Sequence, residues 1–230
     1  MTPNYERRHL VLSMVFPMLF ILACWVVQLY SYILGHDLFF YGIFPRKIEN
    51  LFGIIVSPFI HGDFGHLISN TAPFFILGTG IFYFYPKIAY KVILQIWIIS
   101  GIGVWLMARQ SYHIGASGLI YGFASFLVFS GIIQKNRALS VISLVVIFLY
   151  GSIVWGIFPG KEGISWEAHL SGFIVGILSA LWFSKKNVEA PVSAYSQSIA
   201  EEEFRPGVIT LPEHSDFYYT YVENKMKNEK

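Results

Sequence analysis

Six apolar runs, each close to the length a helix needs to cross hydrocarbon, constrain this chain more than any other feature. They cover residues 10–34, 66–85, 88–106, 117–133, 139–158 and 166–183. A bilayer core about 30 Å thick asks for roughly 20 apolar residues at ~1.5 Å each. Lipid offers no partner to the backbone, so a span must satisfy its own N–H and C=O groups, and runs this long do so as helices. The fold class that follows is all-α: a polytopic membrane protein built as a six-transmembrane-helix bundle. A hydrophobic fraction of 55% and a charged fraction of 13% agree, because a soluble domain carries far more charge. The bilayer is the expected surrounding, and no nucleic-acid partner is expected.

The first run contains Pro17 and Gln28 and is longer than the core of a cleaved leader, so it is read as a retained span. Residues 1–9 then form a polar N-terminus, residues 10–186 the six-span domain and residues 187–230 a tail. Charge separates these parts. Residues 1–186 hold 12 Lys/Arg against 6 Asp/Glu, whereas the tail holds 4 against 8, including the block Glu201, Glu202 and Glu203. Residues 217–222 of the tail are compatible with a short strand. Between the first two spans lies a loop over residues 35–60 rich in aromatics (Phe39, Phe40, Tyr41, Phe44, Phe52, Phe59), which suits a half-embedded position at the headgroup boundary. Cys24 is the single cysteine, so no intrachain disulfide can form.

Lys and Arg set the orientation. Arg7, Arg8, Lys87, Lys91, Lys135, Arg137, Lys185 and Lys186 fall on one side of a six-span topology, and Arg46, Lys47, Arg109 and Lys161 on the other. Both termini are therefore expected in the cytoplasm of a multi-pass protein, with a bacterial inner membrane as the expected location. The second, fourth and sixth spans then run inward, and His66, Ser117 and His169 all fall within about a turn of their outer ends. They share one depth.

Polar side chains at membrane depth are costly and face the bundle interior. His66 and Asn70 are four residues apart on one helix face. Ser117 follows the small-residue turn Gly115-Ala116, and Tyr121 lies one turn further along its face, placed to pack on an imidazole. Ala168, Gly172, Gly176 and Ala180 form a small-residue stripe beside His169, and Gly118 and Gly122 answer it on the fourth span. Such stripes let backbones approach closely, which a short serine needs to reach a histidine on another helix. A serine becomes a nucleophile when a base within hydrogen-bond reach takes its proton, and His169 is the candidate. Glu167 points away from His169 on the helix, so a dyad is expected rather than a triad. The Ser117 N–H at a helix N-terminus, with His66 and Asn70, supplies candidate donors for an oxyanion.

Rival patterns fit less well. The α/β-hydrolase elbow needs Gly where Leu119 stands, and a strand before the serine. Zinc on His61, His66 and His169 lacks the His-Glu-x-x-His spacing, so no metal and no cofactor are expected. His113, four residues before Ser117, is a second possible base, read here as a solvated loop residue.

The motifs His61-x4-His66-x3-Asn70, Gly115-Ala116-Ser117-Gly118 with Tyr121, and Ala168-His169-x2-Gly172-x3-Gly176 resemble those of the rhomboid family of intramembrane serine proteases, in order and on the matching spans. The resemblance covers about residues 10–185. It implies Ser117 as nucleophile and His169 as base, with His66, Asn70 and the Ser117 amide as oxyanion hole. Tyr121 and Gly115 would support the dyad. It further implies transmembrane protein substrates cut near the outer membrane face through an acyl-enzyme, a lateral gate near residues 155–165 and a first loop wedged in the outer leaflet. Phe52-Gly53 stand where some relatives carry Trp-Arg, with Pro45-Arg46 earlier, so the anchoring of that loop does not follow from the resemblance. An inactive rhomboid-like protein that binds transmembrane clients is the alternative. A transporter would show paired intramembrane charges or broken helices in repeated halves, and neither is present.

Overall fold

The structure, a computed structural model, describes residues 3–135, 141, 144–145, 148, 156–159, 163 and 165–183. Its contacts divide the chain into a body, Met1–Val188, and a second unit, Glu189–Lys230. The second unit, the expected 217–222 strand, most of the fifth span and part of the expected gate lie outside the described residues. Helices in chain order are α1 (Pro3–Leu34), α2 (Gly53–Val56), α3 (Phe64–Phe84), α4 (Ala89–Met107), α5 (Ser117–Ile133) and α6 (Trp166–Phe183), with no strand among the described residues. Four of them, α1, α3, α4 and α6, are long and apolar enough to cross a membrane, and α5 is a shorter apolar helix. These five correspond to the first, second, third, fourth and sixth expected spans.

α1 is described from Pro3 onward, so the polar segment ahead of residue 10 is part of the same helix as the first span. α3 starts where Asp63 accepts a 2.7 Å hydrogen bond from the His66 N–H, a side-chain cap for an otherwise orphaned donor.

The bundle is centred on α5, which is buried all round: Leu119, Ile120, Tyr121, Phe123, Phe126 and Leu127 are all inside. A helix apolar on every face belongs in the middle of such a bundle. α1, by contrast, turns Val11, Leu12, Met18, Leu22 and Val26 outward, the composition of a lipid-facing surface. Phe20 of α1 stacks on Phe74 of α3 at 4.3 Å, with Phe59 and Trp97 closing the cluster. In lipid the gain from such contacts is packing rather than release of water, so small residues matter as much as large ones. A Cβ added to Gly172 would fall on the Gly118 carbonyl, and one added to Gly176 on the Gly122 carbonyl. α5 and α6 therefore touch backbone to backbone. On the far side of α6, Ser171 donates 2.9 Å to the Ser100 carbonyl of α4.

The first loop folds back on α4. Gly53 is pressed against Gly42, where a Cβ would lie 2.6 Å from the Gly42 carbonyl carbon and oxygen. Arg46 sits at φ 61° and its Nη1 donates to the carbonyls of Leu106 and Ala108, 3.2 and 3.0 Å away. The Trp105 indole donates to the Lys47 carbonyl and the Trp97 indole to the Ile54 carbonyl, both at 2.9 Å. Arg46 helps tie this loop to α4, by satisfying carbonyls that the end of α4 leaves open.

Candidate active site

The segment that leads into α5 is held from two sides. The Gly115 N–H donates 2.9 Å to the Ser57 carbonyl, and the Ala116 N–H approaches His61 Nε2 at 3.5 Å. Gly115 adopts φ 102°, a conformation that side chains disfavour, and its open side is filled by its neighbours. A Cβ there would lie 2.8 Å from His66 Nε2 and 3.8 Å from Asn70 Nδ2. The turn, His66 and Asn70 thus converge on one point. Ser117 begins α5 directly after it, so its N–H belongs to the first turn of a helix, where donors are free and the dipole favours negative charge.

His169 enters from the first turn of α6. Its Nε2 lies 2.7 Å from Ser117 Oγ, and its Nδ1 lies 2.9 Å from the Gly156 carbonyl. A carbonyl only accepts, so Nδ1 carries the ring proton and Nε2 offers its lone pair to the serine hydroxyl. Tyr121 covers the other face of the ring at 4.2 Å, with planes 10° apart. Glu167 turns elsewhere: its Oε1 pairs with Arg109 Nη1 at 3.2 Å. The serine, the imidazole and the tyrosine come together as the sequence pattern suggests, without a carboxylate behind the histidine.

His66 is half-buried and Asn70 buried; among the described residues Asn70 Nδ2 has no hydrogen-bond partner. His61 packs beside His66, ring centroids 5.0 Å apart. Burial, and then the neighbouring His66, hold His61 neutral, its pKa lowered to about 4. The glycines of the two stripes all lie in the α5–α6 contact region, although Gly122 also presses on Ile96 of α4.

His113 departs from expectation. It is not solvated but 2% exposed, with Nε2 on the Arg109 carbonyl at 3.0 Å and Nδ1 on Ser165 Oγ at 2.5 Å. Burial lowers its pKa as well. Both ring nitrogens are engaged away from Ser117, so it is not the rival base. Its role escapes sequence reading because its partner, Ser165, is 52 residues away in a segment without periodic pattern. The Gly156 carbonyl behind His169 was hidden for the same reason, since any residue carries a carbonyl. For His61 a signal exists: it begins the His61-x4-His66-x3-Asn70 motif.

The family model described as Rhomboid domain matches residues 48–186. An uncharacterized protein of Mycobacterium tuberculosis is 34% identical over 197 residues, covering 80% of each chain. One from Mycobacterium leprae is 31% identical over 192 residues, 80% of this chain and 76% of its own length. The Rhomboid-like protease 5 of Toxoplasma gondii is 26% identical over 144 residues, which is 58% of this chain and 16% of that protein. A helical, multi-pass membrane bundle, the convergence of three motifs on one point and a domain match over more than half the length leave one assignment: the chain belongs to the rhomboid family.

Proposed function

We propose that the chain is a serine endopeptidase that cleaves transmembrane-helix substrates near the outer face of a bacterial plasma membrane, with both termini in the cytoplasm. The observation that carries the reading is the 2.7 Å contact between Ser117 Oγ and His169 Nε2, with Nδ1 already committed to Gly156. The Lys/Arg distribution and the mycobacterial relatives support the location and orientation.

In this mechanism His169 Nε2 takes the Ser117 hydroxyl proton as Oγ attacks the scissile carbonyl. Charge moves to the carbonyl oxygen, where the Ser117 N–H, His66 and Asn70 Nδ2 donate to it. Asn70 suits this role because its amide hydrogens are not spent on another partner among the described residues. The tetrahedral intermediate collapses, the imidazolium at His169 gives its proton to the departing amine, and an ester to Ser117 remains. Water then gives a proton to His169 Nε2 as its oxygen attacks the ester, and on collapse of the second tetrahedral intermediate the imidazolium returns that proton to Ser117 Oγ while the carboxylic acid product departs. Tyr121 keeps the imidazole plane fixed through these proton transfers. A helical substrate must unwind at the cut, because an intact helix keeps its peptide groups hydrogen-bonded in lipid.

The test is cleavage of a model transmembrane substrate by the purified full chain, with Ser117→Ala and His169→Ala beside it, and labelling by a fluorophosphonate probe. Loss of about 10³-fold or more in both variants, with labelling of the parent at Ser117 only, is expected. Cleavage that survives both substitutions removes the reading. A parent that binds transmembrane segments but neither cleaves nor labels is the client-binding alternative.

A further inference from the structure

Glycine packing sets how closely α5 and α6 approach, but a polar clasp also joins the outer ends that carry the two halves of the dyad. Its centre is His113. The backbone of His113 is paired with Ile43 of the first loop, N–H to carbonyl in both directions at 2.9 and 3.0 Å. Its ring is buried between the Arg109 carbonyl and Ser165 at the head of α6. Nε2 faces the Arg109 carbonyl, an acceptor only, so Nε2 carries the hydrogen and Nδ1 accepts from the Ser165 hydroxyl. Ser165 in turn starts α6: its carbonyl accepts from the N–H groups of Ala168 and His169 at 3.1 and 3.3 Å. The Arg109–Glu167 ion pair runs alongside as a second, half-exposed strap between the same two segments.

We infer that His113 is a positioning residue for the proposed acyl transfer: fixed to the first loop by its backbone and to Ser165 by its ring, it holds the head of α6 so that His169 stays at bonding distance from Ser117. The inference rests on the protease reading. The buried imidazole suits the task better than the half-exposed ion pair. Water does not compete for its bonds, and burial disfavours the charged ring, so Nδ1 remains an acceptor for the Ser165 hydroxyl near neutral pH. Its ring also reaches both the entry loop and α6, whereas a shorter side chain at 113 would lose one of them.

The experiment compares the full chain with Ser165→Ala, Ser165→Thr, His113→Ala and the double variant, reading kcat, KM, the rate of Ser117 phosphonylation by a fluorophosphonate, and Tm. Ser165→Ala removes the clasp with the smallest disturbance and guards against misfolding of His113→Ala. Because misplacement by about 1 Å can cost ~10²-fold, Ser165→Ala is expected to lower kcat and phosphonylation about tenfold or more with KM within about twofold. Ser165→Thr, which keeps the hydroxyl, restores both. The double variant is no slower than His113→Ala, since both substitutions break one contact. Parent-like kcat and phosphonylation in Ser165→Ala, or a loss confined to KM or Tm, overturns the inference while the protease reading stands. A parent chain inert to both substrate and probe overturns the protease reading, and the inference falls with it.

Discussion

Tyr121 lies flat on the imidazole of His169, the ring centroids 4.2 Å apart and the planes 10° from parallel. The tyrosine hydroxyl lies so close to Gly156 that a Cβ on that glycine would overlap it, and the same Cβ would lie 3.0 Å from His169 Nδ1. The imidazole is thus held on one face by the phenol ring and at its Nδ1 edge by Gly156. If the stack, not the hydroxyl, does the holding, Tyr121→Phe should keep kcat within about threefold. Tyr121→Ala removes a contact worth ~0.5–1.5 kcal/mol beyond its area and frees the ring to rotate, so kcat should fall about tenfold or more. Steady-state kinetics on the two variants side by side decides between face and hydroxyl.

What was legible in the sequence was whatever carries a period or a cost. Runs near 20 residues announced the spans, and the expense of polar groups in lipid singled out Ser117, His169, His66 and Asn70, which the fold brings around one turn at Gly115. Small residues spaced by four announced the α5–α6 seam. Contacts made through backbone carbonyls left no trace: Gly156 behind His169, and Leu106 and Ala108 beneath Arg46. Loop residues misled for a related reason. His113 looked solvated because exposure in a loop depends on what folds over it, and here the first loop and α6 both do. Most of the fifth span and all of the tail lie outside the described residues.

Helix contact at the seam is graded, and activity should follow the grading. A Cβ on Gly172 meets the Gly118 carbonyl, a backbone atom that cannot step aside. A Cβ on Gly118 meets the Ala168 carbonyl at 3.2 Å, which a shift of a few tenths of an ångström relieves. Gly172→Ala is therefore expected to push α6 off α5, at about 1–3 kcal/mol of overpacking, and to lower kcat ~10²-fold by separating Ser117 from His169. Gly118→Ala should stay within about tenfold of the parent. Equal losses in both variants would show that the seam does not set the dyad distance.

Arg46 closes the end of α4 with two hydrogen bonds from one guanidinium nitrogen to the Leu106 and Ala108 carbonyls. A cation at a helix C-terminus also meets the negative end of the dipole. Arg46→Ala should cost about 1–2 kcal/mol and free the first loop. The expected readouts are a lower Tm in detergent and faster protease nicking between residues 35 and 60, with phosphonylation of Ser117 less affected than Tm. Unchanged nicking would mean that the Trp105 and Trp97 indole bonds hold the loop by themselves.

His61 links stability to pH. It is 6% exposed, its Nε2 faces the Ala116 N–H, and its Nδ1 has no partner among the described residues, so a proton on the ring would be a poorly solvated charge. Its pKa is lowered to about 4 from an ordinary 6.5. Between those values the unfolded chain binds a proton that the folded chain refuses, so stability is full above about pH 6.5 and is lost as pH falls toward 4. The gap corresponds to up to about 3 kcal/mol from this group, and buried His113, shifted in the same direction, adds to it. His61→Gln keeps an acceptor for the Ala116 N–H but cannot titrate. Its Tm should change less between pH 7 and pH 4.5 than that of the parent, with residual slope from His113. A parent whose Tm is flat across that range, or a variant as steep as the parent, would show that His61 takes up its proton in the folded bundle as readily as in the unfolded chain.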